Sequence, residues 1–341
     1  MIKDKAKKMI GLACAALLLL GSSGYWLFFS SINSAQKDVR IYVDNDDTAD
    51  SVYVKIQNAV SPSQLLGLKL CGTVLGYKSN VIPGSYVVRQ GASSFSFMRK
   101  LRGGRQDAVR LVIPVTHSMN HLAARLSQQL EADSATLASA FKNEVQLKDW
   151  GVTPETAACL FIPNTYEVYW DITPAKLLQR MKREHDAYWT ENRKKLAEKA
   201  GLTTNEVYTL ASIVEQESAN EKERPMIAGM YLNRLRQGMK LQADPTVKFA
   251  LGNFGLRRIL HEHLIVDSPY NTYQHEGLPV GPICIPSQNA IESVLHYAPH
   301  DYLYMCAKED FSGTHNFAKT YAEHLMNARK YTDALNKRGI K

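Results

Sequence analysis

The chain has 341 residues, 22% of them charged and 45% hydrophobic, an ordinary globular mix with room for two domains and a sizeable core. Its net charge of +8 is spread along the chain, without a basic stripe interleaved with aromatics and without a helix-turn-helix or ribonucleoprotein pattern. That excludes nucleic acid as the expected partner and leaves an anionic lipid surface or an anionic wall polymer, beside the plainer reading of a soluble, positively charged surface for the body of the protein. None of the five cysteines forms a CxxC. Cys71, Cys159, Cys284 and Cys306 are expected mostly as buried free thiols, with one bridge left open in an oxidising compartment.

From Met9 to Gln36 no residue is charged, and MIGLACAALLLLGSSGYWLFF fills positions 9–29. About 20 apolar residues at 1.5 Å rise cross a ~30 Å hydrocarbon layer. Lys3, Lys5, Lys7 and Lys8 precede the run and favour a cytoplasmic N-terminus; Tyr25, Trp26, Phe28 and Phe29 stand where an interfacial aromatic belt belongs. The sequence therefore predicts a cytoplasmic tail over 1–8 and a single transmembrane helix over 9–30, with residues 38–341 on the exterior side. A cleaved signal peptide needs small residues where these bulky aromatics stand. A lipid-bearing Cys14 has only five apolar residues before it, and Gly11 occupies the place of a large aliphatic.

Over 39–60, VRIYV reads as a strand, DNDD as a turn, and a short helix or strand follows. Pro83-Gly84 reads as a turn, SYVV as a short strand, and Ser93 or Ser94 as the cap of a helix ending at Gly103-Gly104. AVRLVIPV (108–115) is another strand. The run IPGSYVV followed by a helix ending LRGG resembles a LysM-like module, which implies either glycan binding or a scaffold that positions the next domain. The module is assigned to 39–116, as a small α+β unit.

Residues 117–150 read as helical, with Leu122, Leu126 and Leu130 at spacing four. CLFIPNTYEVYW (159–170) reads as strand, turn and strand around Pro163-Asn164. Residues 174–200 read as one charged, solvent-facing helix ended by Gly201.

Next comes LTTNEVYTLASIVEQES. Thr203 and Glu206 have capping-box spacing, so the helix starts near residue 204. Val207, Leu210, Ala211 and Val214 share one face. Glu215 and Glu217 then point about 200° apart around the axis and cannot form a close pair. Helical side chains lean over the preceding turn. Glu217 is thus expected over Ile213, Val214 and Leu210, and Glu215 over Ala211 and Ser212. Apolar surroundings raise a carboxyl pKa, and a carboxyl that keeps its proton near neutrality can serve as a general acid. Glu217 is the better candidate; Glu215 either accepts hydrogen bonds from a neighbouring loop or is solvated. For any single helical glutamate the plainer reading is a surface salt bridge.

ERPMIAGMYLNRLRQG reads as a second helix, with Pro225 in its first turn and Gly238 just past its end. The loop SPYNTYQHEGLPVGPICIPSQNA (268–290) combines four prolines with tyrosines, asparagines and a threonine. That is a poor core and a good groove for sugar rings and their hydroxyls. HEH (261–263) is not HExxH and has no third ligand at convincing spacing, so no metal and no cofactor are expected.

The segments ASIVEQES, MYLNRLRQGMKLQADPTVKFALG, SPYNTYQHEGLPVGPICIPSQNAI and GTHNFAKTYAEH resemble the YceG/MltG-type endolytic murein transglycosylases. The similarity is dense over 205–325 and collinear from 40, including FIPNTYEVY and the anchor. It departs in the Asn of IPNTY, commonly Asp, and in Cys284. The resemblance implies a mainly helical, lysozyme-like catalytic domain with short strands over 117–341, α+β class overall. It implies that Glu217, the acid before Ser218, is catalytic, and that the strands of peptidoglycan are cut between MurNAc and GlcNAc with a 1,6-anhydro end. It further implies proximity to peptidoglycan synthases at the cytoplasmic membrane. The substrate-binding candidates are Glu215, Asn233, Gln242, Asp244, Thr246, Tyr270, Asn271, Thr272, Tyr273 and His315, with Asn316 beside the last. Capping and turn chemistry is the competing role for the polar ones. Two alternatives stand beside this reading: a hydrolytic muramidase with Asp244 holding the water, and a non-catalytic wall-binding scaffold.

Overall fold

A computed structural model describes residues 2–32, 37–256 and 258–339, apart from the side chains of residues 2–6. Lys3 and Lys5 of the expected tail, and Gln36 at the end of the uncharged stretch, thus have side chains outside the described part. The chain is of mixed α/β class, about half helical. It divides into two compact units. The first holds residues 1–111 with 129–131 and 167–172; the second holds the remainder.

In the first unit, helix α1 (Ile2–Phe29) begins within the expected tail and runs without interruption through an apolar stretch, Lys7–Phe29, long enough to cross a membrane. Strand β1 (Val39–Val43), helices α2 (Ala49–Ile56) and α3 (Pro62–Val74), strand β2 (Gly84–Val88) and helix α4 (Ser94–Arg102) follow. Alternation in β1 turns Ile41 and Val43 inward, and β1 pairs antiparallel with β2, Ile41 opposite Tyr86. Thr48, Ser61 and Ser93 each close a capping box at the start of their helix. The unit's core gathers Val52, Ile56, Leu68, Tyr86, Phe97 and Leu101. Pro83-Gly84 is not a turn: Gly84 is already the first residue of β2. Its φ of +140° favours glycine there, and the Gln106 side chain lies where a Cβ would stand.

Strand β3 (Val109–Ile113) leads into the second unit. The helical region expected over 117–150 is three short helices, α5 (Met119–Ser127), α6 (Ser134–Ala140) and α7 (Glu144–Lys148), each with its own cap from Ser118, Asp133 or Asn143. The strand expected before Pro163 is a turn of 3-10 helix, Ala157–Leu160, and only strand β4 (Asn164–Val168) forms. Residues 157–162 are buried throughout, and an unbroken apolar run has no period from which to tell helix from strand. Strands β3 and β4 form a second two-stranded sheet.

The single helix expected over 174–200 is two, α8 (Pro174–Tyr188) and α9 (Glu191–Ala200). The chain breaks to bury Trp189, and Thr190 caps the restart by accepting from the Arg193 backbone amide. These helices are also less solvated than their charge suggested, since Leu177, Leu178, Met181 and Ala197 are buried.

Helix α10 (Thr204–Glu217) starts at the predicted capping box and is the centre of this unit. Every side chain from Val207 to Val214 is buried, so it is covered all round rather than along one stripe. Around it lie α11 (Arg224–Arg236), α12 (Asp244–Ala250) and α14 (Gln288–Leu295), with the short α13 (His261–Leu264) between α12 and α14 in sequence. Strands β5 (Tyr304–Ala307) and β6 (His315–Ala318) form an antiparallel pair with Ala307 opposite His315, and α15 (Tyr321–Lys337) follows. The five cysteines are free thiols, with Cys71, Cys159 and Cys284 buried.

Candidate active site

Helix α10 stops at Glu217 because the chain turns extended at Ser218. The Ser218 carbonyl accepts from Arg224 Nε at 3.2 Å, and its hydroxyl accepts from the Asn220 amide at 3.1 Å. The last side chain of a buried helix therefore emerges at the floor of a cavity of about 230 Å³. Its lining is Glu217, Met230, Tyr231, Arg234, Leu241, Gln242, Asp244, Tyr273, Met305, Cys306, Ala307 and His315.

Burial pushes the Glu217 carboxyl up from 4.5 to about 7. The hydrogen bond donated by the Tyr231 hydroxyl to Oε1 opposes this, Asp244 adds to it, and His315 and Lys248 oppose it. The position acts in the same direction as burial: the C-terminal end of a helix carries partial negative charge and disfavours a carboxylate. The outcome is an acid that holds its proton near neutrality and faces an open cavity.

The walls are held by hydrogen bonds between the cavity's own side chains and the neighbouring backbone and carboxylates. Arg234 is buried, and its guanidinium donates to the carbonyls of Leu303 (2.6 Å), Lys240 (3.1 Å) and Leu241 (2.8 Å), tying the approach to β5 to the 240–242 loop. Gln242 takes a left-handed backbone conformation, φ +51°, and its amide donates to the Thr272 carbonyl at 3.1 Å. Beside it, the Tyr273 hydroxyl donates to Asp244 Oδ1 at 2.6 Å. His315 Nδ1 lies 2.9 Å from Glu223 Oε2, and Glu223 Oε1 accepts from the His315 amide at 2.7 Å. A nearly buried carboxylate thus orients the imidazole from behind.

Of the candidates named from sequence, Glu217, Gln242, Asp244, Tyr273 and His315 come together on this cavity. The others do not line it. Glu215 pairs with Arg224 at 2.8 Å and accepts from the Ser287 amide at 2.9 Å, so it joins the end of α10 to the starts of α11 and α14. Asn233 donates to the His300 and Tyr302 carbonyls. Thr246 and Thr272 are buried with their hydroxyls 2.9 Å apart, and Thr272 accepts from the Ala243 amide; they shape the loop that presents Gln242 and Asp244. Asn271 is fully buried and donates to the Leu264 and Val266 carbonyls. Tyr270 packs against Phe249 and lines a different cavity of about 110 Å³ with Pro282 and Ile285. Asn316 donates to Glu309. Most of these are the capping and turn roles weighed above.

Tyr231, Arg234, Glu223, Met305 and Cys306 were not read from the sequence. Tyr231 and Arg234 are three apart on α11, so one helix face carries both to the cavity. That spacing is a weak signal, since it equally marks ordinary core positions. Cys306 arrives on strand β5, which lies outside the quoted segments, although its partner strand β6 falls within GTHNFAKTYAEH.

The YceG-like family model matches residues 41–330. An endolytic murein transglycosylase of Bacillus subtilis (strain 168) is 35% identical over 168 residues, 49% of this chain and 46% of that protein. One from Streptococcus pneumoniae serotype 2 (strain D39) is 28% identical over 282 residues, 74% of this chain and 51% of that protein. The chain thus spans about half the length of the curated relatives it matches. Among solved structures, a yceG-like protein from Listeria monocytogenes is similar with TM-score 0.54 and 25% identity, covering 86% of this chain and 99% of the other.

Proposed function

This chain belongs to the YceG-like family, and from that premise we propose that it is a membrane-anchored endolytic lytic transglycosylase of peptidoglycan. The observation that carries the reading is Glu217, a carboxyl with its pKa near 7 at the floor of an open polar cavity. Ordinary glycosidases work with two carboxylates, one of them a base or nucleophile. Here Tyr231 occupies Oε1 of Glu217 by donating to it, so the retained proton belongs on the other oxygen. That proton goes to the oxygen linking MurNAc to GlcNAc as the bond breaks. The resulting carboxylate takes the proton of the C6 hydroxyl of the same MurNAc, and that oxygen closes on C1. The substrate supplies its own nucleophile at high effective molarity. Gln242, Asp244 and Tyr273 are read as hydroxyl-binding groups on one wall, and His315, oriented by Glu223, as one on the other.

Residues 1–8 are read as the cytoplasmic tail, 9–30 as the span of the cytoplasmic membrane, and 117–341 as the exterior, lysozyme-like catalytic domain. The 39–116 module is read as LysM-like; what supports it is that IPGSYVV and the helix ending LRGG fold into one unit, as β2 and α4. The tether keeps the cutter near nascent strands and the synthases that make them.

The reading is tested by mass analysis of fragments released from purified sacculi. Ends lighter by one water than hydrolysed ends are expected; ends at the hydrolysed mass would assign the reaction to a muramidase instead, with Asp244 holding the water. A second expectation concerns pH. Cleavage should fall as pH rises through about 7, where Glu217 ionises. The Tyr231 bond lowers that value, so Tyr231→Phe should move the descending limb to higher pH while reducing kcat on the order of tenfold. An unmoved limb would remove Glu217 as its origin.

A further inference from the structure

The first unit is joined to α1 by packing as well as by chain. Gly24, Leu27 and Phe28 form the partly covered face of the last turns of α1, and Phe28 packs against the unit's core. A Cβ at Gly67 of α3 would overlap the Leu27 carbonyl oxygen, so the two helices touch backbone to backbone there. The apolar stretch of α1 ends at Phe29. Leu27, whose carbonyl meets Gly67, lies two residues before that end, about 3 Å at 1.5 Å per residue. Gly67, which meets the Leu27 carbonyl, therefore stands inside the apolar boundary of the span.

Helix α3 also turns an apolar stripe away from the unit's core. Leu66, Leu70 and Val74 recur at spacing four and are 52%, 42% and 75% exposed. Leu66 adjoins Gly67 in sequence. The cation of Lys69 lies on the same exposed side of the helix, its Nζ 5.9 Å from the Tyr53 ring centre. Arg99 stands 5.8 Å from the ring of Phe95, which in turn packs 5.6 Å from the ring of Phe29. Apolar side chains flanked by long cations at the end of a span match the boundary between acyl chains and phosphate headgroups.

We propose that α3 is a second membrane contact, an interfacial helix whose Leu66, Leu70 and Val74 stripe lies in the outer-leaflet boundary beside the span. The occupant of the stripe is lipid, because the stripe begins at Leu66, next to the Gly67 that touches the span at Leu27. This rests on reading α1 as a transmembrane helix. Its consequence is that the first unit is held flat to the bilayer, instead of hanging from a free tether.

The test uses the full chain with Cys14 and Cys306 replaced by serine, reconstituted into vesicles of phosphatidylethanolamine and phosphatidylglycerol. Nitroxide labels are placed singly through Leu18→Cys in the span, Leu70→Cys on α3 and Val145→Cys on the exposed side of α7. Collision rates with oxygen and with an aqueous nickel chelate are compared. The expected result is that the labels at 18 and 70 both favour oxygen severalfold over nickel, while that at 145 favours nickel. A label at 70 as open to nickel as that at 145, with 18 still shielded, would overturn the interfacial helix and leave the span standing. A label at 18 open to nickel would overturn both.

Discussion

Glu217→Gln is expected to lower glycan-strand cleavage by roughly 10²–10⁴-fold, the range for removing a positioned general acid. Gln keeps the shape and still accepts from Tyr231, but has no proton to give. Binding of glycan should be nearly intact, which separates this outcome from a wall-binding scaffold. Thermal stability should not fall. The carboxyl's pKa of about 7 in the folded chain exceeds its ordinary 4.5, so its neutral burial is fully favourable below the lower value and is lost as pH rises through the upper one. The Gln variant is neutral at every pH. Its unfolding midpoint should therefore depend less on pH between 4.5 and about 7 than that of the wild type. Undiminished cleavage would remove Glu217 from the mechanism, and an unchanged pH dependence of unfolding would show that it is not held protonated.

The second large effect is on stability, at Arg224. Its guanidinium meets Glu215 Oε1 at 2.8 Å, the Ser218 carbonyl at 3.2 Å, and Ser287 Oγ and Asn289 Oδ1 at 3.1 Å. The side chains of Arg224 and Glu215 are 5% and 12% exposed. Removing one partner of a buried ion pair leaves the other charge uncompensated, at a cost of about 3–5 kcal/mol. Arg224→Ala should lower stability by that amount in denaturant unfolding. The double variant Arg224→Met with Glu215→Gln should lose less than the sum of its single changes, because neither leaves a lone charge. A loss below about 1 kcal/mol would mean that the cluster is solvated, as surface pairs are. Activity should suffer as well, since the same cluster fixes the turn at Ser218 that aims Glu217.

Local features were readable from the residues in proportion to how local their causes are. The start of α10 follows from Thr203 and Glu206 three positions apart, and the start of α4 from Ser93. The covered setting of Glu217 follows from Leu210, Ile213 and Val214, all fully buried, one and two turns below it. Two of the departures share one cause, which is burial that ignores local period. Trp189 breaks a charged helix because the core takes its ring, and 157–162 coils tightly where every side chain is inside. The loop 268–290 was read as a groove from its composition, yet only Tyr273 of its residues lines the main cavity. Asn271 and Thr272 spend their polar groups on backbone partners.

By itself the sequence determined the apolar helix at the N-terminus, the mixed class, the helix caps and which of two acids would be wrapped in apolar side chains. These depend on neighbours within one or two turns, where spacing alone sets geometry. Only the tertiary structure decided the company Glu217 keeps: Tyr231 from α11, Asp244 from α12, Tyr273 from a loop, Cys306 and His315 from a strand pair. It also decided that Glu215 is a clamp between three helices and no part of the cavity. The reason is that such contacts join residues up to 98 positions apart, as from Glu217 to His315. Their meeting is settled by how the helices pack around α10, and no period along the chain records it.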